Sequence, residues 1–122
     1  MDDDAVWSRV FAPSAGGRWE ERLLWECDAL GEDLTALPPL RQEQRKISAL
    51  LRGIRTLEGG KALTSPPRPR REGDLRGCYF RSLALAREFA ARAADGGAGP
   101  LWQAAAEEQM AQCVRIARIL GR

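Results

Sequence analysis

An apolar stripe of helical period in the middle of the chain constrains the fold more than any other feature. Six apolar residues recur there at the 3.6-residue spacing of one helix face: Leu40, Ile47, Leu50, Leu51, Ile54 and Leu57. Pro39 suits the first turn of this helix, where its missing amide proton costs nothing, and Gly59 and Gly60 are expected to end it. A helix with such a face is stable only when other elements cover the stripe.

Composition makes further helices the natural cover. Ala, Leu, Arg, Glu and Gln dominate, β-branched residues are few, and no alternating strand pattern of useful length occurs. Around the central helix, the sequence predicts helices over residues 4–11, 18–30, 74–94 (with Asp74 as N-cap) and 101–120. The 122 residues therefore predict one all-α domain, a helical bundle of four main helices plus a short N-terminal helix.

Glycine and proline set the predicted boundaries. Gly31 is the predicted stop of the second helix, and residues 32–38 are predicted to form a linker. The buried face of the last helix is predicted to extend to Ala117 and Leu120. Residues 61–73 contain the run SPPRPRR, whose prolines favour an extended basic loop. We expect this loop to be mobile unless a partner orders it.

The residue inventory excludes much chemistry. Histidine is absent, which removes Ser-His and Cys-His nucleophile pairs and every zinc site that needs imidazole. Cys27, Cys78 and Cys113 form no CxxC pair and fall on predicted apolar faces, as expected of inert buried thiols. The sequence contains neither a carboxylate constellation nor a glycine-rich phosphate loop. We therefore expect a non-enzymatic protein with no cofactor and no metal.

The compartment is predicted from the start of the chain and its apolar runs. The acidic opening, Asp2 to Asp4, is unlike a secretory or mitochondrial leader, which begins with basic residues. No apolar stretch approaches the roughly 20 residues that span a bilayer. An odd number of cysteines is typical of reduced thiols. These features predict a soluble, cytoplasmic protein without a membrane partner.

Charge is strongly segregated along the chain, although the formal net charge is only +2. Residues 1–40 hold three basic and nine acidic residues, a net charge of −6. Residues 41–87 hold twelve basic and four acidic residues, a net charge of +8, and ten of the twelve are arginines. Residues 88–122 hold four of each. The planar fork of arginine matches phosphate oxygens in a way that lysine cannot.

Four arginines concentrate this charge on the central helix. At about 100° per residue, Arg41, Arg45, Arg52 and Arg55 fall within roughly 80° of arc, and that arc holds no acidic residue of the same helix. Solvated helix faces commonly interleave Glu with Lys at i,i+4, so arginines alone favour contact with an external anion. An alternative is that the acidic first third of the chain covers this face, within one subunit or between subunits.

The basic segment favours contact with the backbone of nucleic acid, without sequence specificity, because no zinc-finger, RNA-recognition or basic-zipper motif accompanies it. The candidate contact residues lie on the central helix and in the proline-rich loop: Arg41, Arg45, Arg52, Arg55, Lys61, Arg68, Arg70 and Arg71. The alternative function is a protein-interaction adaptor, chaperone or inhibitor that uses the acidic N-terminal region. Trp7 and Trp25 are the candidate interface residues for that function.

A small, all-helical, non-catalytic chain with an arginine-lined helix and a basic loop resembles the small subunit of CRISPR effector complexes. The resemblance lies in architecture and charge, through the four arginines of the central helix and the loop arginines Arg68 to Arg71. It implies a role in antiviral defence, in which helical subunits stack along a filament of guide-RNA-holding subunits and present basic side chains to nucleic acid. The partners so implied are RNA and other protein subunits, including copies of this chain.

Overall fold

Four α-helices make up the part of the chain that the computed structural model describes, which is residues 19–58, 74–95 and 98–121. The helices are α1 (Trp19–Asp33), α2 (Pro38–Leu57), α3 (Leu75–Ala94) and α4 (Gly99–Leu120). The described residues contain no strand, which confirms the predicted all-α class. The predicted helix over residues 4–11 and the predicted loop over residues 61–73 lie outside the described ranges.

The four helices pack as two antiparallel hairpins. In the first, Cys27 of α1 lies against Gln44 and Ser48 of α2. In the second, which has the most extensive helix contact in the described part of the chain, Ser82 of α3 lies against Gln109 of α4. The hairpins join mainly where α2 packs on α4, and α1 makes a smaller contact with α3. The arrangement buries one face of every helix, as expected of a bundle.

Local sequence explains where the helices begin. Pro38 and Pro39 lie in the first turn of α2, and Pro100 lies in that of α4, positions where proline leaves no hydrogen bond unmade. The carboxylate of Asp74 accepts a hydrogen bond of 2.8 Å from the Gly77 amide, which confirms the predicted N-cap. Helix α3 then ends at Ala94, as predicted.

Apolar side chains from all four helices form one core. Of the predicted stripe on α2, Leu40, Ile47, Leu51 and Ile54 are buried and Leu50 is half-buried. The principal buried members contributed by the other helices and the α1–α2 turn are Leu23, Leu24, Cys27, Leu30, Leu34, Cys78, Leu85, Phe89, Trp102, Ala105, Ala106 and Ile116. Burial of one such aliphatic side chain is worth about 1.5–3 kcal/mol, so this core supplies the main driving force for folding.

The prediction that Gly31 stops the second predicted helix is wrong, because this helix, α1 of the structure, continues to Asp33. Gly31 is buried, and a Cβ there would lie 3.7 Å from Gln44 of α2, an ordinary contact distance. The packing of this last turn outweighs the helix-propensity penalty of glycine, about 1 kcal/mol. The predicted linker over residues 32–38 is correspondingly shorter, and its Leu34 is only 1% exposed.

Three residues predicted to face the core do not. Leu57 is 72% exposed and Leu120 is 45% exposed; both lie in the last turn of their helix, where the described neighbouring helices no longer cover the stripe. Ala117 is also exposed and lies at the edge of the buried face of α4. The helical spacing of apolar residues predicts the direction in which a side chain points. It does not predict how far a neighbouring helix extends over that face.

A layer of buried polar groups crosses the core and reaches all four helices. The Ser48 hydroxyl donates to the Cys27 thiol over 3.2 Å, and the Gln109 amide donates to the Ser82 hydroxyl over 2.6 Å. Gln112 donates to the backbone oxygen of Leu40 over 2.6 Å. The donors named here are buried with partners, as is usual for polar groups in a protein interior, whereas the Gln112 side-chain oxygen is buried without a hydrogen-bond partner in the described part of the chain.

Candidate nucleic-acid interface

The arginines of α2 lie on the part of its surface that adjoins α1. Arg45 and Arg52 are exposed, and Arg41 and Arg55 are half-buried. We call Arg41, Arg45 and Arg52 the arginine strip. At a rise of about 1.5 Å per residue, the strip extends over roughly 16 Å of the helix axis.

Carboxylates of α1 reach two members of the strip. An Nη2–Oδ2 distance of 2.9 Å joins Arg52 to Asp28, and an Nη2–Oε1 distance of 3.8 Å joins Arg41 to Glu32. All four side chains keep between 30% and 50% of their surface accessible. Ion pairs at this exposure are weak, worth about 0–1 kcal/mol, so both arginines remain available to another anion.

The expectation of an acid-free arginine arc holds for α2 taken alone. The neighbouring helix changes the arc's electrostatics, because α1 belongs to the acidic first third of the chain and runs antiparallel to α2. The segregation of acidic and basic residues in the sequence indicated that carboxylates of α1 could pair with arginines of α2. A short turn between an acidic and a basic helix brings their opposite charges together.

Arg45 differs from its two neighbours in the strip. It is exposed and forms no ion pair with a carboxylate of the described ranges. The next residue, Lys46, pairs with Glu43 over 3.1 Å on its own helix. Arg45 is therefore the cation of the strip whose charge the described residues balance least.

The remaining predicted contact residues belong to the basic loop and to the two tryptophans. Lys61, the loop arginines Arg68, Arg70 and Arg71, and Trp7 lie outside the described residues. Trp25 lies on α1 and is half-buried, and its role as an interface residue stays a prediction.

Another arginine of the basic segment serves the packing of the bundle. Arg81 of α3 donates from Nη1 to the carboxylate of Asp33 at the end of α1. The Asp33 side chain is only 2% exposed and that of Arg81 21%. This ion pair joins the two hairpins on the side where α1 meets α3, and thus removes one charge of the +8 segment from the surface.

A groove of about 420 Å³ lies between α2 and α4. Ile47 and Leu50 supply its apolar lining, and charged side chains of both signs complete it: Glu43, Lys46, Glu108 and Arg115. Because two acidic and two basic groups face it, the groove does not extend the positive surface of the strip.

The three cysteines are buried free thiols. Burial raises the pKa of Cys27 to about 12, against the lowering effect of hydrogen bonds from Ser48 and Gln44. Burial likewise raises the pKa of Cys78 and of Cys113. A thiol held protonated is a poor nucleophile and a poor metal ligand. Among the described residues, no group of three or more Cys, Asp or Glu side chains could hold a metal ion.

Sequence reasoning missed three exposed apolar side chains on the helices of the second hairpin. Phe80 of α3 is 59% exposed, and Met110 and Val114 of α4 are each 44% exposed. The signal was present in the sequence, since all three residues lie off the predicted inward faces of their helices. Exposed large apolar side chains often mark surfaces that contact other proteins.

Comparison with protein-family models, with curated proteins and with solved structures finds no match for this chain. None of the helices in the described ranges is long and apolar enough to cross a membrane.

Proposed function

We propose that this protein is a non-enzymatic helical subunit that contacts the backbone of nucleic acid through the arginine strip, within a larger nucleoprotein assembly. The observation that carries the proposal is Arg45, an exposed arginine without a carboxylate partner among the described residues. Arg41 and Arg52 flank it on the same helix, and their weak ion pairs leave both guanidinium groups accessible. An assembly like an RNA-guided effector complex fits this surface and the helical architecture.

The chemistry of the strip suits phosphate better than bases. Guanidinium groups bind phosphate oxygens in a bidentate manner. Residues four apart on a helix are about 6 Å apart along the axis, so Arg41 and Arg45 can reach neighbouring phosphates. Each phosphate neutralised releases counterions, and binding should therefore weaken steeply with salt.

Charge reversal at Arg45 tests the proposal. The wild-type protein should retard single-stranded RNA or DNA of about 20 nucleotides in a gel at low salt. Arg45→Glu should weaken that binding about threefold to tenfold and should lower the salt dependence, since one phosphate contact is lost. Arg118→Glu is the matched control, because Arg118 is also exposed and makes no ion pair in the described ranges, but lies on α4. Absence of binding, or equal weakening by both variants, would contradict the proposal.

A second candidate function is a protein-interaction adaptor. The exposed side chains of Phe80, Met110 and Val114 favour it, because such residues commonly anchor protein partners. The acidic N-terminal region, Trp7 and Trp25 belong to the same candidate function. A stable heterocomplex that survives nuclease treatment and is lost on Phe80→Ser would favour the adaptor over the nucleic-acid subunit.

A further inference from the structure

The three arginines of the strip differ in whether a carboxylate of α1 pairs with them. Two of its members carry a carboxylate of α1 as partner, Asp28 for Arg52 and Glu32 for Arg41. The member between them, Arg45, has no such partner among the described residues. Any phosphate that approaches the strip therefore meets one cation without a carboxylate partner and two whose weak ion pairs it must displace.

The two carboxylates are attached to an anchored stretch of backbone. They belong to α1, whose buried side includes Cys27 and Leu30, both fully inaccessible to solvent. Arginine side chains are long and can turn toward a phosphate. Asp28 has a short side chain, and its backbone is held in place by the buried residues Cys27 and Leu30, one and two residues away. The negative charge of the carboxylate therefore remains close to the phosphate after the ion pair has opened, and it repels the phosphate within a Debye length of about 8–10 Å.

We infer that Asp28 and Glu32 restrain nucleic-acid binding by acting as built-in competitors of phosphate for Arg52 and Arg41. This inference rests on the proposed function and identifies what sets the affinity of that same surface. The pairs are weak enough to be displaced, so they moderate binding rather than abolish it. They also favour partners that present several phosphates at once, because one isolated anion gains little over the carboxylate that it replaces.

Removal of the two charges gives a specific expectation. In the variant Asp28→Asn/Glu32→Gln, the amides keep the shape of the side chains and can still accept hydrogen bonds from the arginines. Affinity for a single-stranded 20-nucleotide probe should rise about threefold to tenfold at low salt. The salt dependence should steepen, since each freed arginine adds up to about 0.7 to the slope of log K against log salt for a single strand.

A matched variant separates this local effect from a change in net charge. Glu107→Gln/Glu108→Gln on α4 also removes two negative charges, here from exposed positions, and should raise the affinity less than twofold. Equal gains for the two variants would overturn the inference, because the effect would then be one of net charge. Unchanged or weaker binding of Asp28→Asn/Glu32→Gln would also overturn it, since the carboxylates would then be neutral or would orient the arginines for phosphate.

Failure of the proposed function has a different result. If neither the wild type nor any variant binds the probe, the strip has no role in nucleic-acid contact and both statements fall. If the wild type binds and Arg45→Glu weakens binding while Asp28→Asn/Glu32→Gln has no effect, only the restraint by carboxylates is overturned. Binding seen only in Asp28→Asn/Glu32→Gln would overturn both statements, because the wild type would then not contact nucleic acid and the carboxylates would abolish binding rather than moderate it.

Discussion

Gln44 of α2 and Gln109 of α4 form a closed pair of amide hydrogen bonds at the centre of the bundle. The Gln44 amide donates to the Gln109 oxygen over 2.8 Å, and the Gln109 amide donates back over 3.0 Å. Both residues are fully inaccessible to solvent. The pair joins the two hairpins and continues on one side to Cys27 and on the other to Ser82. Since each amide needs the other, the pair fixes how α2 and α4 lie against each other.

Replacement of Gln109 alone should be costly. Gln109→Leu leaves the buried Gln44 oxygen without its donor and removes one of the two acceptors of the Gln44 NH2 group, so we expect the free energy of unfolding to fall by about 1–3 kcal/mol. The double variant Gln44→Leu/Gln109→Leu should lose less than the sum of the two single changes, with a coupling energy of about 1 kcal/mol or more. Urea denaturation of the four proteins measures this cycle, and strict additivity would contradict a mutual pair.

The two kinds of cross-helix ion pair should differ in their effect on stability. Arg81→Met removes one partner of the Asp33 carboxylate, which is 2% exposed, and should cost more than about 1 kcal/mol because that carboxylate is desolvated. Arg52→Met removes the partner of Asp28, whose side chain is 30% exposed, and should cost less than about 1 kcal/mol. Chemical denaturation of both variants checks the comparison. If the Arg81 variant loses no more stability than the Arg52 variant, burial of the Asp33 pair does not matter energetically.

The N-cap of α3 makes a separate contribution. Asp74→Ala removes the acceptor of the Gly77 amide and should destabilise the protein by about 1 kcal/mol, a fall in Tm of about 4 °C. Asp74→Ser should keep most of that stability, because serine also caps helices. The control is Asp95→Ala at the other end of α3, where the unfavourable effect of a carboxylate on the helix dipole opposes its weak ion pair with Arg92, so its loss should have little effect. Thermal denaturation followed by circular dichroism distinguishes the three.

The elements of this fold were readable from the sequence where local rules decide them. The stripe from Leu40 to Ile54 predicted α2, and Asp74 predicted the start of α3. The helix end predicted at Gly31 is wrong because the tendency of glycine to end a helix competes with the packing of this turn against Gln44. The sequence of one segment alone does not reveal that packing. Propensities of about 1 kcal/mol are readily overridden by tertiary contacts.

The candidate site was readable only in part, for a related reason. The angular positions of Arg41, Arg45 and Arg52 follow from helix geometry alone. Their pairing with Asp28 and Glu32 depends on the rotation and register of α1 against α2, which are set by burial of residues such as Cys27 and Leu30. Gln44 and Gln109 escaped prediction because hydropathy treats glutamine as a surface residue, although both lie between apolar residues on the buried faces.

The thiol of Cys27 should make stability depend on alkaline pH. Its pKa is about 12 in the folded protein and 9.0, the ordinary value, for an exposed thiol. Between these pH values the unfolded chain has lost the proton and the folded chain still holds it, so the free energy of unfolding falls as pH rises. Cys27 thus contributes stability that is fully present below pH 9.0 and is lost by about pH 12.

The comparison of wild type with Cys27→Ala isolates this contribution from other groups that titrate in the same range. Wild-type stability should fall more steeply between pH 9 and 11, by up to about 1.4 kcal/mol per pH unit more than that of the variant. Urea denaturation at four pH values gives both curves. The variant should be the less stable protein at pH 7, because Gln44 and Ser48 lose the sulfur to which they donate. Parallel curves over this range would show that the Cys27 thiol ionises as readily in the folded bundle as in the unfolded chain.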